Sequence, residues 1–430
     1  MKARVRNVLS GNAVTLLFVI LCIGSILCSG QPLGYIVKET VARISRNAVL
    51  ILSLILPVLC GMGLNFSIVV GAMAGEIALV MITHWNIGGA PGMLLAAVIA
   101  SILGGLFGLA VGKLMNRAVG QEMITGIILG YFSIGLFDLT FLILLGRVIP
   151  FQDAELMLSN GVGLKNTIAF HDDVKNYLDH IWRITLDWSL IYAALTAVAV
   201  LAVLVLRKKK RCGGTLLEAV KGSRKSAAAA VVLTVSAALV WLIPPLHSAC
   251  AATQIPMVVG LIIALLCLLT AFISRTKIGQ DIRTTGQNMD VAIVSGINVG
   301  RCRLFSITFS TIIAALGQVI YLQNMGNMNT FSSHEQVGQY AIAALLVGGA
   351  SIKKASIGHV FLGAALFHIL FFTSPLAGNQ LFGDAQIGEY FRVFVGYAVI
   401  TISLVLYGLK QAADKRSKEE NSTFPAQISK

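Results

Sequence analysis

The sequence predicts an all-α fold built from transmembrane helices. Of the 430 residues, 56% are hydrophobic and only 12% are charged, and the mean hydropathy is +0.82. A soluble domain carries about 25% charged residues. Apolar runs of the ~20 residues that a membrane-spanning helix requires recur along the chain. We therefore expect a polytopic helix bundle of about twelve spans over residues 1–410, followed by a polar cytoplasmic tail at residues 411–430.

The predicted spans follow the apolar runs in order, with both termini on the cytoplasmic side. Between the first two spans, Val37, Val41 and Ile44 share one helical face, which predicts an interfacial helix that bends into the second span. Residues 148–185 form the longest predicted outer segment. The predicted spans cover approximately residues 12–29, 47–61, 61–80, 90–112, 121–147, 186–206, 227–246, 255–274, 304–323, 337–349, 357–373 and 390–408.

The net charge of +14 would suit a nucleic-acid partner, but the placement of the basic residues argues for membrane orientation instead. Lys and Arg concentrate in the loops on one predicted side, as the positive-inside rule expects of cytoplasmic loops. The densest basic loop, residues 207–225, is therefore predicted to face anionic lipid headgroups in the cytoplasm. We expect membrane lipid, and no nucleic acid, among the partners.

The glycine-rich stretch at residues 61–80, GMGLNFSIVVGAMAGEIALV, combines small residues with polar ones at membrane depth. Asn65, Ser67 and Glu76 are polar in a region where polar groups mark functional sites by default. We predict a solute path lined by Asn65, Phe66, Ser67, Glu76 and Asp138. Two alternatives stay open: Glu76 lies near the outer headgroups or bonds between helices as a neutral group, and Asp138 is an interfacial carboxylate.

Residues 275–303 form a hydrophilic interruption between two long apolar runs. Asn288 suits the N-cap of a helix, Asp290 suits its positive end, and Gly296 suits its left-handed stop. A helix of about two turns over 289–295 would expose Val291, Ile293 and Val294 outside any span. Apolar side chains in such a place predict a docking surface for a second protein. The alternative is a solvated loop whose helix packs on its own domain.

Motifs for nucleotide binding and catalysis are missing from the sequence. No G-x-x-x-x-G-K-[ST], G-x-S-x-G, H-E-x-x-H or C-x-x-C occurs, and the seven cysteines match no metal pattern. His171, Asp172 and Asp173 lack the further ligands that a metal would require. These absences favour a transporter over an enzyme. Its energy comes either from a separate motor protein or, alternatively, from an ion gradient coupled through Glu76.

The 275–303 loop resembles the coupling loop of ABC importer permeases for ribose-type sugars and nucleosides, to which branched-chain amino-acid permeases are more distantly similar. Three further blocks resemble the family in the same order: GMGLNFSIVVGAM, the run from Gln339 through the turn SIKKAS, and a last span with a basic tail. The coupling-loop pattern T-x-x-G-x-x-x-R-x-x-G-x-N-x-x-x-A-x-x-S-G-I-x-V is carried here by Thr276, Gly279, Arg283, Gly286, Asn288, Ala292, Ser295, Gly296, Ile297 and Val299.

The resemblance implies a multi-pass permease of the bacterial cytoplasmic (inner) membrane. It implies three partners: cytoplasmic ATPase subunits that hold ATP and Mg²⁺, a second permease in a homodimer or heterodimer, and an extracellular or periplasmic substrate-binding protein. This chain would bind no cofactor and no metal. Members have about ten spans, so residues 186–246 would be an extra hairpin. The implied coupling residues are Gly279, Arg283, Gly286, Asn288, Val291, Ala292, Ser295 and Gly296.

Overall fold

The computed structural model describes residues 13–212, 224–351, 354–384 and 386–394, with positions 397, 398, 401 and 405. Within these ranges the chain is mostly helical, with only three-residue strands besides, which confirms the predicted all-α class. The predicted tail at 411–430, most of the last predicted span and most of the basic loop at 207–225 lie outside the described residues. The helices are α1 Ala13–Cys28, α2 Leu33–Ser53, α3 Ile55–Leu59, α4 Ile68–His84, α5 Gly89–Arg117, α6 Glu122–Asp138, α7 Tyr177–His180, α8 Leu186–Cys212, α9 Arg224–Leu242, α10 Pro244–Ala251, α11 Met257–Arg275, α12 Lys277–Gln287, α13 Met289–Val294, α14 Val299–Met325, α15 Ser333–Val347 and α16 Ile357–Phe382.

Seven helical segments in the described ranges are long and apolar enough to cross a membrane, or eight if the bent pair around Ile243 is counted as one span. The apolar helices α1 and α4 are shorter. Helix α15 has 15 residues, fewer than the ~20 that a complete span requires. The predicted count of about twelve spans and the predicted sides of the termini stay predictions.

The second helix departs from the sequence prediction. An interfacial helix that bends into a span was expected, but residues 33–53 form the single helix α2. No glycine or proline interrupts residues 35–56, so the helical spacing continues through the amphipathic part. Helix α2 ends at Ser53 because Pro57 has no N–H to donate to the carbonyl four residues earlier. The chain then continues as the short α3.

The chain divides into two compact units. One comprises Gln31–Ala42 and Leu178–Leu261. In it α8 and α9 pack side by side, and strands β2 (Arg183–Thr185) and β3 (Gln254–Pro256) pair antiparallel. The rings of Trp188 and Trp241 meet edge to face, with centroids 6.4 Å apart. The predicted extra hairpin at 186–246 falls within this unit, and its status as an insertion stays a prediction.

The other unit comprises Met1–Gly30, Arg43–Tyr177 and Ile262–Lys430. Its centre is the packing of α14 against α4 and α5. Small residues line the contact, where Gly71 and Gly75 of α4 lie against the α14 backbone at Thr311 and Ala315. The outer segment contributes β1 (Thr167–Ala169), which pairs antiparallel with β4 (Asn327–Asn329). Every site described below lies in this unit.

Helices α4 and α6 differ from the predicted third and fifth spans. Gly61 and Gly63 have positive φ values of 78° and 72°, so residues 60–67 are irregular and α4 begins only at Ile68. Asn65 therefore lies outside the helix that carries Glu76. The α-helical part of the fifth span ends at Asp138 and continues as a π-helix over Leu139–Leu144.

Candidate functional site

Helix α13 is a short, capped element with an apolar exposed tip. The Asn288 side-chain oxygen accepts hydrogen bonds from the amides of Asp290 (2.9 Å) and Val291 (3.2 Å), and Gly296 ends the turn with φ of 75°. The predicted cap and stop are thus confirmed. The apolar side chains at its tip are exposed: Val291 by 52%, Ile293 by 59% and Val294 by 89%.

The other predicted coupling residues mostly pack within the chain. Ala292 is fully buried, while Ser295 is exposed at the end of α13. Gly279 lies against the backbone of Ile273 and Ser274. The Arg283 guanidinium donates to the carbonyl of Ser274 (2.6 Å) and to that of Gly279 (3.3 Å). Arg283 therefore braces the turn between α11 and α12.

Gly286, at the end of α12, touches the backbone that precedes α4. A Cβ on Gly286 would lie 2.8 Å from the amide nitrogen of Gly61 and 3.0 Å from the carbonyl carbon of Cys60. A Cβ on Gly61 would lie 2.8 Å from the Cα of Gly286. Real Cβ atoms essentially never approach other atoms this closely, so the contact requires glycine on both sides. The C-terminal end of α12 is thereby in contact with the start of the irregular segment 60–67.

An open cleft of about 650 Å³ lies beside this contact, between residues 60–63, 119–124 and 285–289. The nearby junction of α5, α6 and α14 is held by a buried ion pair. Arg303, which is 2% exposed, donates to Glu122 Oε1 (2.7 Å) and to the carbonyl of Met115 (2.9 Å). Because a buried guanidinium is stable only when it is paired, this bond fixes the start of α14.

Most residues of the predicted solute path are sealed inside the helix packing. Glu76 is fully buried; its Oε1 accepts from Gln318 Nε2 (3.0 Å), and its Oε2 lies 2.8 Å from His334 Nδ1. The carboxylate thus ties α4 to α14 and α15. This placement matches the alternative of a bond between helices and gives Glu76 no access to a cavity.

Asn65 and Ser67 are also buried. Asn65 donates to Ser310 Oγ (3.2 Å), and its side-chain oxygen accepts from the Ser67 hydroxyl (2.5 Å). These bonds hold the irregular segment against α14. Asp138 is half-buried at the end of α6.

Phe66, in contrast, lines a cavity. This cavity has a volume of about 180 Å³, and its wall includes Phe66, Val69, Tyr131, Glu335, Gln339 and Tyr397. Asp138 does not line it. The Tyr397 hydroxyl donates to Gln339 Oε1 (3.0 Å), and Gln339 Nε2 donates to Glu335 Oε1 (3.2 Å).

Glu335 and Gln339, which line this cavity, are not among the residues predicted from the sequence. A signal was available, because these two polar residues lie four positions apart in α15. That spacing places them on one helical face.

The outer segment is fastened to the end of α4. His84 Nδ1 lies 3.0 Å from Asp153 Oδ2, and the His84 ring lies 4.1 Å from that of Phe151. Burial opposes ionisation of Asp153, but hydrogen bonds from His84 and from the amides of Glu155 and Leu156 outweigh it and hold its pKa below the usual range. The pair therefore anchors the segment with an ionised carboxylate.

The fold and these contacts define a multi-pass helical membrane protein with an exposed apolar helix tip outside its spans. Residues 231–404 match the family described as the branched-chain amino acid transport system / permease component. That range includes α12, α13 and α15. No solved structure matches the chain significantly.

Known bacterial permeases share parts of the sequence. The nucleoside ABC transporter permease protein NupC of Lactococcus lactis is 28% identical over 163 residues, which cover 38% of this chain and 49% of the relative. NupB of the same organism, also a nucleoside permease, is 34% identical over 127 residues, or 28% and 33% of the two chains. The xylose permease XylH of Haemophilus influenzae is 33% identical over 102 residues, or 24% and 27%.

Residues 231–404 thus carry the signature of this permease family, and parts of the chain are similar to sugar and nucleoside ABC permeases. Members of the family are non-enzymatic membrane subunits, and this chain is a multi-pass protein of the bacterial inner membrane. It spans less than half the length of the curated relatives that it matches.

Proposed function

We propose that this chain is the membrane-spanning permease subunit of an ATP-driven importer for a small neutral polar solute, a sugar or a nucleoside. The observation that carries the proposal is the apolar tip of α13, formed by Val291, Ile293 and Val294. Apolar side chains exposed together outside the spans are stabilised when a partner removes them from water. In an ABC permease the fitting partner is the ATPase subunit.

The partner must bring the nucleotide chemistry, because the sequence contains no phosphate loop. The ATPase subunits would hold ATP and Mg²⁺, and this chain would bind no cofactor. A second permease, identical or different, would complete the path across the membrane. An extracellular substrate-binding protein would deliver the solute to the outer side.

The contact between Gly286 and Gly61 supports a route for coupling. Movement of α13 by the ATPase would displace α12, to which it is joined through Asn288. Because α12 touches Gly61 backbone to backbone, the displacement would reach residues 60–67 and therefore Phe66. ATP binding and hydrolysis would favour one or the other of two conformations, outward-open and inward-open.

The names of the relatives and the charge of the cavity beside Phe66 support the proposed solute class. The relatives are named for nucleosides and xylose. Glu335 is the one charged side chain among the residues that line the cavity in the described part of the chain. A neutral solute with hydroxyl groups suits such a wall, because hydroxyls both donate and accept hydrogen bonds.

The test is co-purification of the permease with its ATPase subunit after Ile293→Asp and Val294→Asp substitutions. We expect the dissociation constant to rise by roughly tenfold or more, since an interface anchor contributes more than about 1 kcal/mol. ATP-dependent uptake of labelled uridine or xylose should fall in parallel. The exposed Val294 side chain makes the variant's own folding insensitive to the change.

Gln280→Asp is the matched control, because it adds the same negative charge to an exposed side chain of the neighbouring helix α12. Association and uptake should remain at the wild-type level. Normal association and uptake in the Ile293→Asp and Val294→Asp variants would refute the proposal. Gly286 and Ala292 are unsuitable for this test, because charged side chains there would disrupt packing inside the chain.

An ion-coupled secondary transporter that uses Glu76 is the competing hypothesis. Both carboxylate oxygens of Glu76 bond to neighbouring helices, so its position does not favour an ion path. A protonophore added while cellular ATP stays high separates the two. Uptake that persists supports the ABC importer, and uptake that collapses supports ion coupling.

A further inference from the structure

We propose that the cavity beside Phe66 is a solute-contact site in which Glu335, Gln339 and Tyr397 recognise adjacent hydroxyl groups of a compact ring, as found in sugars and ribonucleosides. This inference rests on the proposed function. It assigns the recognition chemistry to side chains that the coupling loop does not touch.

The three polar side chains form an ordered chain of hydrogen bonds. Tyr397 donates to Gln339, which donates to Glu335. Among the described residues, Glu335 Oε2 and the second N–H of Gln339 make no other hydrogen bond. An acceptor and a donor therefore lie side by side. Two adjacent hydroxyls of a ring match this pair, because one can donate to the carboxylate while its neighbour accepts from the amide.

The rest of the wall is aromatic and aliphatic. Phe66 and Val69 come from the region where α4 begins, and Tyr131 comes from α6. Ligand sites in proteins commonly combine such apolar walls with a few oriented polar groups. An aromatic face suits the C–H face of a sugar or the flat surface of a base. The cavity thus offers both surfaces that a ring with hydroxyls on one edge requires.

The cavity is also open at its rim. Tyr131 is 61% and Tyr397 54% exposed, and the volume of about 180 Å³ is below the ~300 Å³ of a typical closed ligand pocket. The part of the site that this chain forms is therefore only a portion of a larger binding site. In the proposed complex, the second permease would supply the remaining wall.

The two sides of the cavity are connected to different parts of the molecule. Phe66 belongs to the segment that reaches Gly61 and its contact with Gly286. Glu335 follows directly after His334, which is bonded to the buried Glu76. One side is thus tied to the coupling helices and the other to the helix core. Displacement of residues 60–67 would change the separation between the aromatic wall and the polar chain.

The other large openings are less suitable. A cavity of about 830 Å³ is formed by residues 146–165 of the outer segment alone. The cleft of about 650 Å³ beside Gly286 lies at the coupling segment. Neither combines an oriented set of polar side chains with aromatic residues from the spans. The cavity beside Phe66 has both.

The experiment measures ATP-dependent uptake by the full complex with its ATPase and binding protein, using labelled uridine and 2′,3′-dideoxyuridine, which lacks the adjacent hydroxyls. The readout is the ratio of the two uptake efficiencies, compared between wild type and variant. The selectivity of the binding protein cancels in this comparison, since it is common to both. For Gln339→Leu we expect the preference for uridine to fall roughly fivefold to tenfold, and for Tyr397→Phe about threefold.

Gln336→Leu is the matched control, because Gln336 is an exposed glutamine on the same helix that does not line the cavity. Its preference for uridine should equal that of the wild type. If the wild-type complex carries xylose instead of uridine, the same ratio is taken between xylose and its 2-deoxy analogue. Tyr397→Phe keeps the ring and retains the test if Gln339→Leu fails to fold.

An unchanged ratio in both variants overturns the inference, even if both solutes are taken up more slowly, because a merely structural role lowers both equally. That result leaves the importer proposal intact. Failure of the wild-type permease to associate with an ATPase subunit, or to transport either uridine or xylose with ATP, overturns the proposed function and the inference with it.

Discussion

The segment at 275–303 and the core formed by α4, α14 and α15 invert the usual distribution of side chains in opposite ways. In the first, a hydrophilic sequence exposes apolar residues such as Val294. In the second, an apolar sequence buries Glu76 and His334 in full. The buried polar residues of the core have hydrogen-bond partners within the chain, whereas the apolar residues at the tip of α13 are exposed.

The two regions also differ in how their polar groups are used. At α13 the polar groups are local, since Asn288 caps a helix that starts at the next residue. In the core the bonds join residues far apart in sequence, as in the pair of Glu76 with His334, 258 positions away. The local bonds at α13 shape a small exposed element, whereas the long-range bonds of the core hold separate helices together.

The largest expected effect comes from breaking the buried core pair. Glu76→Leu would leave the His334 ring buried without its acceptor, and removal of one partner of a buried pair costs about 3–5 kcal/mol. We expect a large fall in the thermal unfolding midpoint of the detergent-solubilised protein. Glu76→Gln retains an acceptor and should fall much less. Equal midpoints for wild type and Glu76→Leu would show that the pair is not structural.

A smaller effect is expected at Gly286, where the 275–303 segment contacts the backbone that precedes α4. Gly286→Ala places a Cβ against the backbone of Gly61, and such overpacking costs about 1–3 kcal/mol. Because α13 itself is unchanged, ATPase association should persist while uptake falls. Gly24→Ala is the control, since its Cβ meets nothing within 4 Å. Wild-type uptake in Gly286→Ala would show that this contact does not take part in coupling.

Loss of the α13 cap should have a still smaller effect on the stability of the fold. Asn288→Ala removes the acceptor for two backbone amides, and loss of an N-cap costs about 1 kcal/mol. We expect the ATPase to bind several-fold more weakly, because the uncapped α13 would be less ordered before binding and part of the binding free energy would be used to order it. Asn288→Asp preserves the cap and should bind normally. Identical affinity of the ATPase for Asn288→Ala and wild type would show that docking does not depend on the order of α13.

The sequence predicted the two regions unequally, and the reason is the range of their interactions. Asn288 and Gly296 act on neighbouring residues, so α13 was predicted to within one residue of its end. The partners of Glu76 depend on how α4, α14 and α15 assemble, which periodicity does not encode. For the same reason Asn65 was expected on the path but bonds to Ser310 instead. Phe66 was predicted from its sequence block and lines a cavity, whereas Glu335 and Gln339 of the same cavity wall are brought there only by the packing of α15.

The smallest expected effect concerns the outer segment, where the bond between Asp153 and His84 is long-range but only partly buried. The lowered pKa of Asp153 means that its stabilising contribution is present above the usual aspartate pKa of about 3.9 and is lost as the pH falls through the lower folded value. Asp153→Asn should therefore increase hydrogen exchange of residues 145–165 relative to wild type at pH 7. The ratio of variant to wild-type exchange should approach one as the pH falls below the lowered pKa of Asp153. A ratio that does not change with pH would show that the carboxylate charge does not hold the segment, in contrast to the buried carboxyl group of Glu76, whose partners lie on two other helices.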